Sequence, residues 1–169
     1  MSERTILVAC IGNIFMGDDA FGVEVAQLLL RRPLPDGVKV VDFGIRGFDL
    51  TYAIMDGYDA TILVDAVQRG GAPGTLYVIE PNLDDMGDLE TQMVETHGMH
   101  PAKVLQLVKS MGADPGYVLL VACEPETFGP EEGYMGLSEP VQLAVVEAAE
   151  MVMKLVEQIL SGERVASKA

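Results

Sequence analysis

The run Thr5-Ile-Leu-Val-Ala-Cys-Ile11 is apolar at every position after its first residue and stops at Gly12. A strand with one wet face would alternate, so this pattern predicts a central parallel strand covered on both sides. Ala60–Ala66 and Tyr117–Cys123 repeat it, and Val38–Phe43 and Thr75–Ile79 read as shorter strands. Between them the period lengthens. Phe21 to Arg32 carries apolar residues at helical spacing and closes on Arg31-Arg32-Pro33, cations and a breaker suited to a helix C-terminus. Phe48 to Met55 reads as a short helix between Gly47 and Gly57. Pro101 to about Met111 reads as another, with Val104, Leu105 and Val108 on one face. Ser138 is placed to cap a long last helix, with Glu139 and Pro140 in its first turn. Val141, Ala144, Val145, Ala148, Val152, Leu155, Val156 and Ile159 form the apolar stripe of that helix. Residues 81–97 and 124–137 are polar and weakly patterned, as functional loops are. Strands alternating with helices predict one α/β domain over residues 1–169. The expected fold is a three-layer α/β/α sandwich on a mostly parallel twisted sheet of about five strands, with a frayed tail after Gly162.

Composition changes this picture little but narrows the partners. The chain is 49% hydrophobic, yet no apolar run approaches the roughly 20 residues a spanning helix needs. Membrane insertion is therefore not expected. Met1-Ser-Glu-Arg-Thr lacks the features of a secretory signal, so a cytoplasmic protein is expected. Eleven basic against 26 acidic side chains give a formal charge of −15, which repels phosphate backbones and anionic membranes and argues against nucleic acid as a partner. Cys10 and Cys123 each lie in a strand-like run, where reduced core thiols are expected.

Candidate chemistry gathers at the ends of the predicted strands. The loop from Gly12 to Gly22 follows the first strand and carries Asp18 and Asp19; its glycine spacing does not match a dinucleotide-binding loop. Asp65 ends the apolar run Ile62-Leu-Val64, where an unpaired charge would be costly to bury. Asp42 ends another strand. In a parallel sheet all these ends share one edge. His97 and His100, the two histidines, lie in the loop before a helix. Carboxylates with imidazole make a mixed O/N donor set suited to nickel or zinc rather than to calcium or magnesium. Each residue alone also has a plainer role: Asp18 and Asp19 as helix caps, Asp42 and Asp65 as caps of loop amides, the histidines as solvated side chains. HExxH and GxSxG motifs are absent, and neither cysteine has a nucleophile context. At this level a hydrolase, a metal-binding chaperone and a small-molecule α/β module all remain open.

The segments Gly12-Asn13, Gly17-Asp-Asp-Ala-Phe-Gly22, Ile62-Leu-Val-Asp-Ala66 and Thr96-His-Gly-Met99 resemble the hydrogenase maturation protease family in order and spacing. The likeness runs over nearly the whole chain. It implies an endopeptidase that removes a C-terminal extension from the large-subunit precursor of nickel–iron hydrogenase after nickel insertion. It also implies that Asp19, Asp65 and His97 are the metal-contacting set and Asp42 an accessory acid of the catalytic region. The nickel would be borne by the substrate, with zinc or cadmium as surrogates in vitro, and the protein is expected to be a monomer. A nickel-binding assembly chaperone without hydrolysis is the alternative carried by the same ligands.

Overall fold

The structure, a computed structural model, describes residues 4–82 and 100–165 of the 169-residue chain. The three continuous apolar runs form β1 (Ile6–Ile11), β3 (Ala60–Ala66) and β5 (Tyr117–Cys123), and every residue of β1 and β3 is buried. With β2 (Val38–Gly44) and β4 (Leu76–Ile79) they make one five-stranded sheet in the order β2-β1-β3-β5-β4. All pairs are parallel except β4 with β5, an antiparallel edge.

Helices cover both faces, which is why the central strands do not alternate. Residues such as Val8, Cys10, Ile62, Val64 and Val121 pack under α1 (Phe21–Leu30) and α4 (Glu139–Leu160). Their neighbours Leu7, Ala9, Leu63 and Leu120 pack under α2 (Gly47–Met55) and α3 (Pro101–Ser110). The stripe read from the sequence on α4 is wholly buried, while Glu147, Glu150, Lys154 and Glu157 on the same helix are exposed. Burying each large side chain of these two layers contributes about 1.5–3 kcal/mol relative to exposure. None of the described helices is long and apolar enough to cross a membrane.

Three local expectations need correction. Helix α1 stops at Leu30, two residues early: Arg31 closes the last turn on the carbonyls of Leu28 and Leu29, and Arg32 reaches Glu150 instead. Ser138 is the residue before α4, but its side chain makes no cap hydrogen bond to that helix; its hydroxyl is taken by Asp18. The chain beyond Gly162 is held as far as Val165, whose N–H donates to the Tyr117 hydroxyl (2.9 Å), while Arg164 pairs with Glu80. The polar segment 81–97 lies, from residue 83 onward, outside the described residues.

Candidate active site at the switch point of the sheet

From β1 the chain passes to β2 on one side, and β3 lies on the other, so the crevice beyond the ends of β1 and β3 is the point where strand order reverses. Open α/β sheets bind ligands there because connections diverge and leave the strand ends uncovered. Asp65 and Asp19 both come to this crevice. Cys10 pairs with Val64, which puts Asp65 level with the end of β1. The residues on either side of Asp65 at a spacing of two, Leu63 and Val67, belong to the core under α2 and α3, so the Asp65 side chain faces that layer. It is 2% exposed, and its Oδ1 accepts the N–H of Ala66 at 2.8 Å.

Asp19 comes from a single 3-10 turn, Gly17–Ala20, between β1 and α1. Its Oδ2 accepts the N–H of Asn13 at 3.0 Å, which closes the loop on itself. Gly12 is required by close approach: a Cβ there would lie 2.2 Å from the Asp19 carbonyl oxygen. Gly22 plays the same part beneath α1, where a Cβ would fall 2.2 Å from the Ile11 carbonyl and 2.5 Å from that of Val64. These two glycines let the loop and the helix lie directly on the strand ends.

Burial raises the Asp65 carboxyl well above the ordinary range; the negative charge of Asp19 raises it further, and the Ala66 amide offsets only part of this. Two carboxylates in one dry crevice repel, and a proton or a cation between them relieves the repulsion. The chemistry of this pair therefore fits a cation, with carboxylate oxygens as hard donors. His97, the third member of the expected set, lies outside the described residues. His100 precedes α3 on the same layer that Asp65 faces. Among the described residues no group of three or more His, Cys, Asp or Glu side chains is placed to hold a metal.

Asp42 stands on the same edge but is differently placed. It pairs in register with Cys10, whose side chain belongs to the α1 and α4 face, and its charge is felt by the Cys10 thiol. Its Oδ1 accepts the N–H of Gly44 at 2.8 Å, and its carbonyl accepts from Arg46. In the structure Asp42 shapes the turn into α2.

Two acids carry more of the site's architecture than sequence reasoning assigned them. Asp18 is fully buried, and its carboxylate accepts the N–H groups of Glu126 (2.7 Å), Thr127 (3.1 Å) and Ser138 (2.7 Å) and the hydroxyl of Ser138 (2.8 Å). It thereby ties the turn bearing Asp19 to the loop after β5. Backbone bonds reinforce the tie, from Asp18 N–H to Thr127 O and from Gly17 N–H to Tyr134 O, both 2.9 Å. Glu124, at the end of β5, is 4% exposed and accepts from the N–H groups of Arg69 and Gly71 and from the Tyr77 hydroxyl. An acid closing an apolar strand was the available signal for Glu124, the same signal that marks Asp65.

The likeness of the chain to known proteins agrees with this geometry. The chain matches the hydrogenase maturation protease family over residues 23–155. The chain belongs to that family. The hydrogenase 2 maturation protease of Escherichia coli is 33% identical over 150 residues, covering 88% of each chain. Among solved structures, the hydrogenase maturating endopeptidase of E. coli superposes with a TM-score of 0.73 at 30% identity, covering 94% of each chain. A nickel–iron hydrogenase maturation protease from Thermococcus kodakarensis gives a TM-score of 0.72 at 27% identity, covering 92% of this chain and 94% of its own. The three-layer sandwich expected from the apolar runs is the fold of this protease family.

Proposed function

We propose that this protease removes the C-terminal extension of a nickel-loaded large-subunit precursor of nickel–iron hydrogenase, and that Asp19, Asp65 and His97 contact the nickel held by that precursor. The observation that carries the reading is the buried Asp19–Asp65 pair at the switch point. The charge of Asp19 works against ionisation of Asp65, and a divalent cation between the two carboxylates would offset that repulsion. The names of the relatives, which are maturation proteases of hydrogenases, support the substrate class. Nickel then acts as a checkpoint, since only a metal-bearing precursor satisfies the pair and docks its tail at the strand ends.

The chemistry this chain brings to hydrolysis is that of carboxylates and imidazole. Both cysteines are fully buried with thiols pushed up by that burial, Cys123 to about 12, so neither serves as a nucleophile. Water is the nucleophile in this reading: its oxygen attacks the scissile carbonyl carbon, the C–N bond breaks, and the water's proton passes to the departing amine. In this reading a carboxylate of the edge takes that proton in transit.

Mass spectrometry of purified precursor incubated with this protein tests the reading. Nickel-loaded precursor should lose its C-terminal segment and nickel-free precursor should not. Equal processing of both would overturn the checkpoint, and binding without shortening would favour an assembly chaperone.

A further inference from the structure

We infer that the groove between α2 and α3 seats an apolar, carboxylate-bearing stretch of the precursor's C-terminal extension and so selects which precursor is cut; this rests on the function proposed above. The groove has a volume of about 400 Å³ and is lined chiefly by Ile45, Phe48, Thr51, Lys103, Val104 and Leu107. Phe48 is 72% exposed and Ile45 56%. Large apolar side chains grouped at a concave surface mark a contact site, because leaving them wet is unfavourable.

Position and charge indicate the occupant. Helix α2 begins three residues after β2 ends, at the edge where β3 delivers Asp65, and the first turn of α3 lines the same groove as Ile45 and Phe48. The two helices form the layer that Asp65 faces. The groove therefore lies on that layer. In a chain of formal charge −15, the groove lining among the described residues contains Lys103 and His100 and no carboxylate. An apolar floor with an ammonium group at its rim is complementary to an apolar side chain followed by an acidic group, or by the free carboxylate that ends any C-terminal extension. A second copy of this chain fits less well: a two-fold contact would press two Lys103 groups into one apolar interface with no acid in the lining to offset them.

Steady-state processing of the nickel-loaded cognate precursor tests the inference. Phe48→Ser, Ile45→Ser and Lys103→Glu alter exposed positions; thermal unfolding verifies that each variant is folded, and Ile45 lies outside both helices. The expected result is a KM raised about tenfold with kcat within about twofold, the signature of lost binding common to ground and transition states. A precursor whose extension has its acidic residues replaced by lysine should be a poor substrate for the wild type and a better one for Lys103→Glu. Unchanged KM in folded variants, with the wild type active, overturns the groove assignment. A wild-type dimer on size exclusion that Lys103→Glu or Phe48→Ser dissociates also overturns it, in favour of a second copy. Failure of the wild type to shorten any nickel-loaded precursor defeats the proposed function itself, a separate outcome.

Discussion

The Asp18 carboxylate accepts both the N–H and the hydroxyl of Ser138, at 2.7 and 2.8 Å, across 120 residues of sequence. This contact joins the turn carrying Asp19 to the start of α4, and the Glu126 and Thr127 amides close on the same carboxylate. Asp18→Ala removes the shared acceptor of four part-buried donors. At about 1–3 kcal/mol for an unsatisfied buried group, with some relief from entering water, a loss of roughly 3–5 kcal/mol is expected. Asp18→Asn retains one acceptor oxygen and should lose less. Urea unfolding measures both; a loss below about 1 kcal/mol for the alanine variant would show that the clamp is dispensable.

Asp65 predicts the opposite sign. Its folded-state carboxyl titrates well above the ordinary value, so between the two values the folded protein binds more protons than the unfolded chain. Stability is then fullest below the unfolded pKa, near 4, and declines as pH rises through the folded one. Asp65→Asn removes the ionisation and leaves an amide oxygen for Ala66 N–H. The variant should melt higher than the wild type at pH 8, with the difference shrinking towards pH 4, while processing is lost. Parallel melting curves across this pH range would contradict the burial-driven shift. Residues arranged for chemistry at the expense of stability behave in this way.

The fold was legible because three apolar runs without alternation, each about seven residues long and rich in β-branched side chains, fit strands covered on both faces, and their order with the helices points to a parallel sheet with its loops on one edge. Asp19 and Asp65 were legible from position: Asp65 closes one such run, Asp19 lies in the loop after another, and β1 and β3 lie adjacent. The partner of Asp18 was not. Nothing local in Ser138 reveals that its hydroxyl serves a carboxylate 120 positions away rather than its own helix. Glu124 escaped for a related reason, since Arg69 and Gly71 reach it from the loop after β3 and Tyr77 from β4 as that strand returns along β5. Long-range satisfaction of buried polar groups has no period along the chain.

Gly12 offers a test of positioning without touching any candidate ligand. A methyl group at this position meets the Asp19 carbonyl oxygen at 2.2 Å, and the atom in the way is backbone, so the turn itself must shift. Displacing a reacting group by about 1 Å costs on the order of a hundredfold in rate. Gly12→Ala should therefore lower kcat for processing by about that factor while retaining the far-ultraviolet circular dichroism of the wild type. A folded variant of full activity would mean that the placement of Asp19 by Gly12 is not needed.

The cysteines bear directly on mechanism. Cys10 is raised by burial and by the charge of Asp42, and Cys123 by burial and by Asp18 and Glu124, to about 12. At pH 8 the Cys123 thiolate is then present at about one part in 10⁴, and both sulfurs lie beneath packed side chains. An aromatic disulfide reagent should leave the native protein unmodified over hours and titrate two thiols in urea. Asp18→Ala should speed the labelling of Cys123 through local opening, since the loop after β5 is released. Cys123→Ala should process precursor at the wild-type rate. Rapid modification of the native protein with parallel loss of processing would instead place a thiol in the reaction, and the water-based hydrolysis would have to be abandoned.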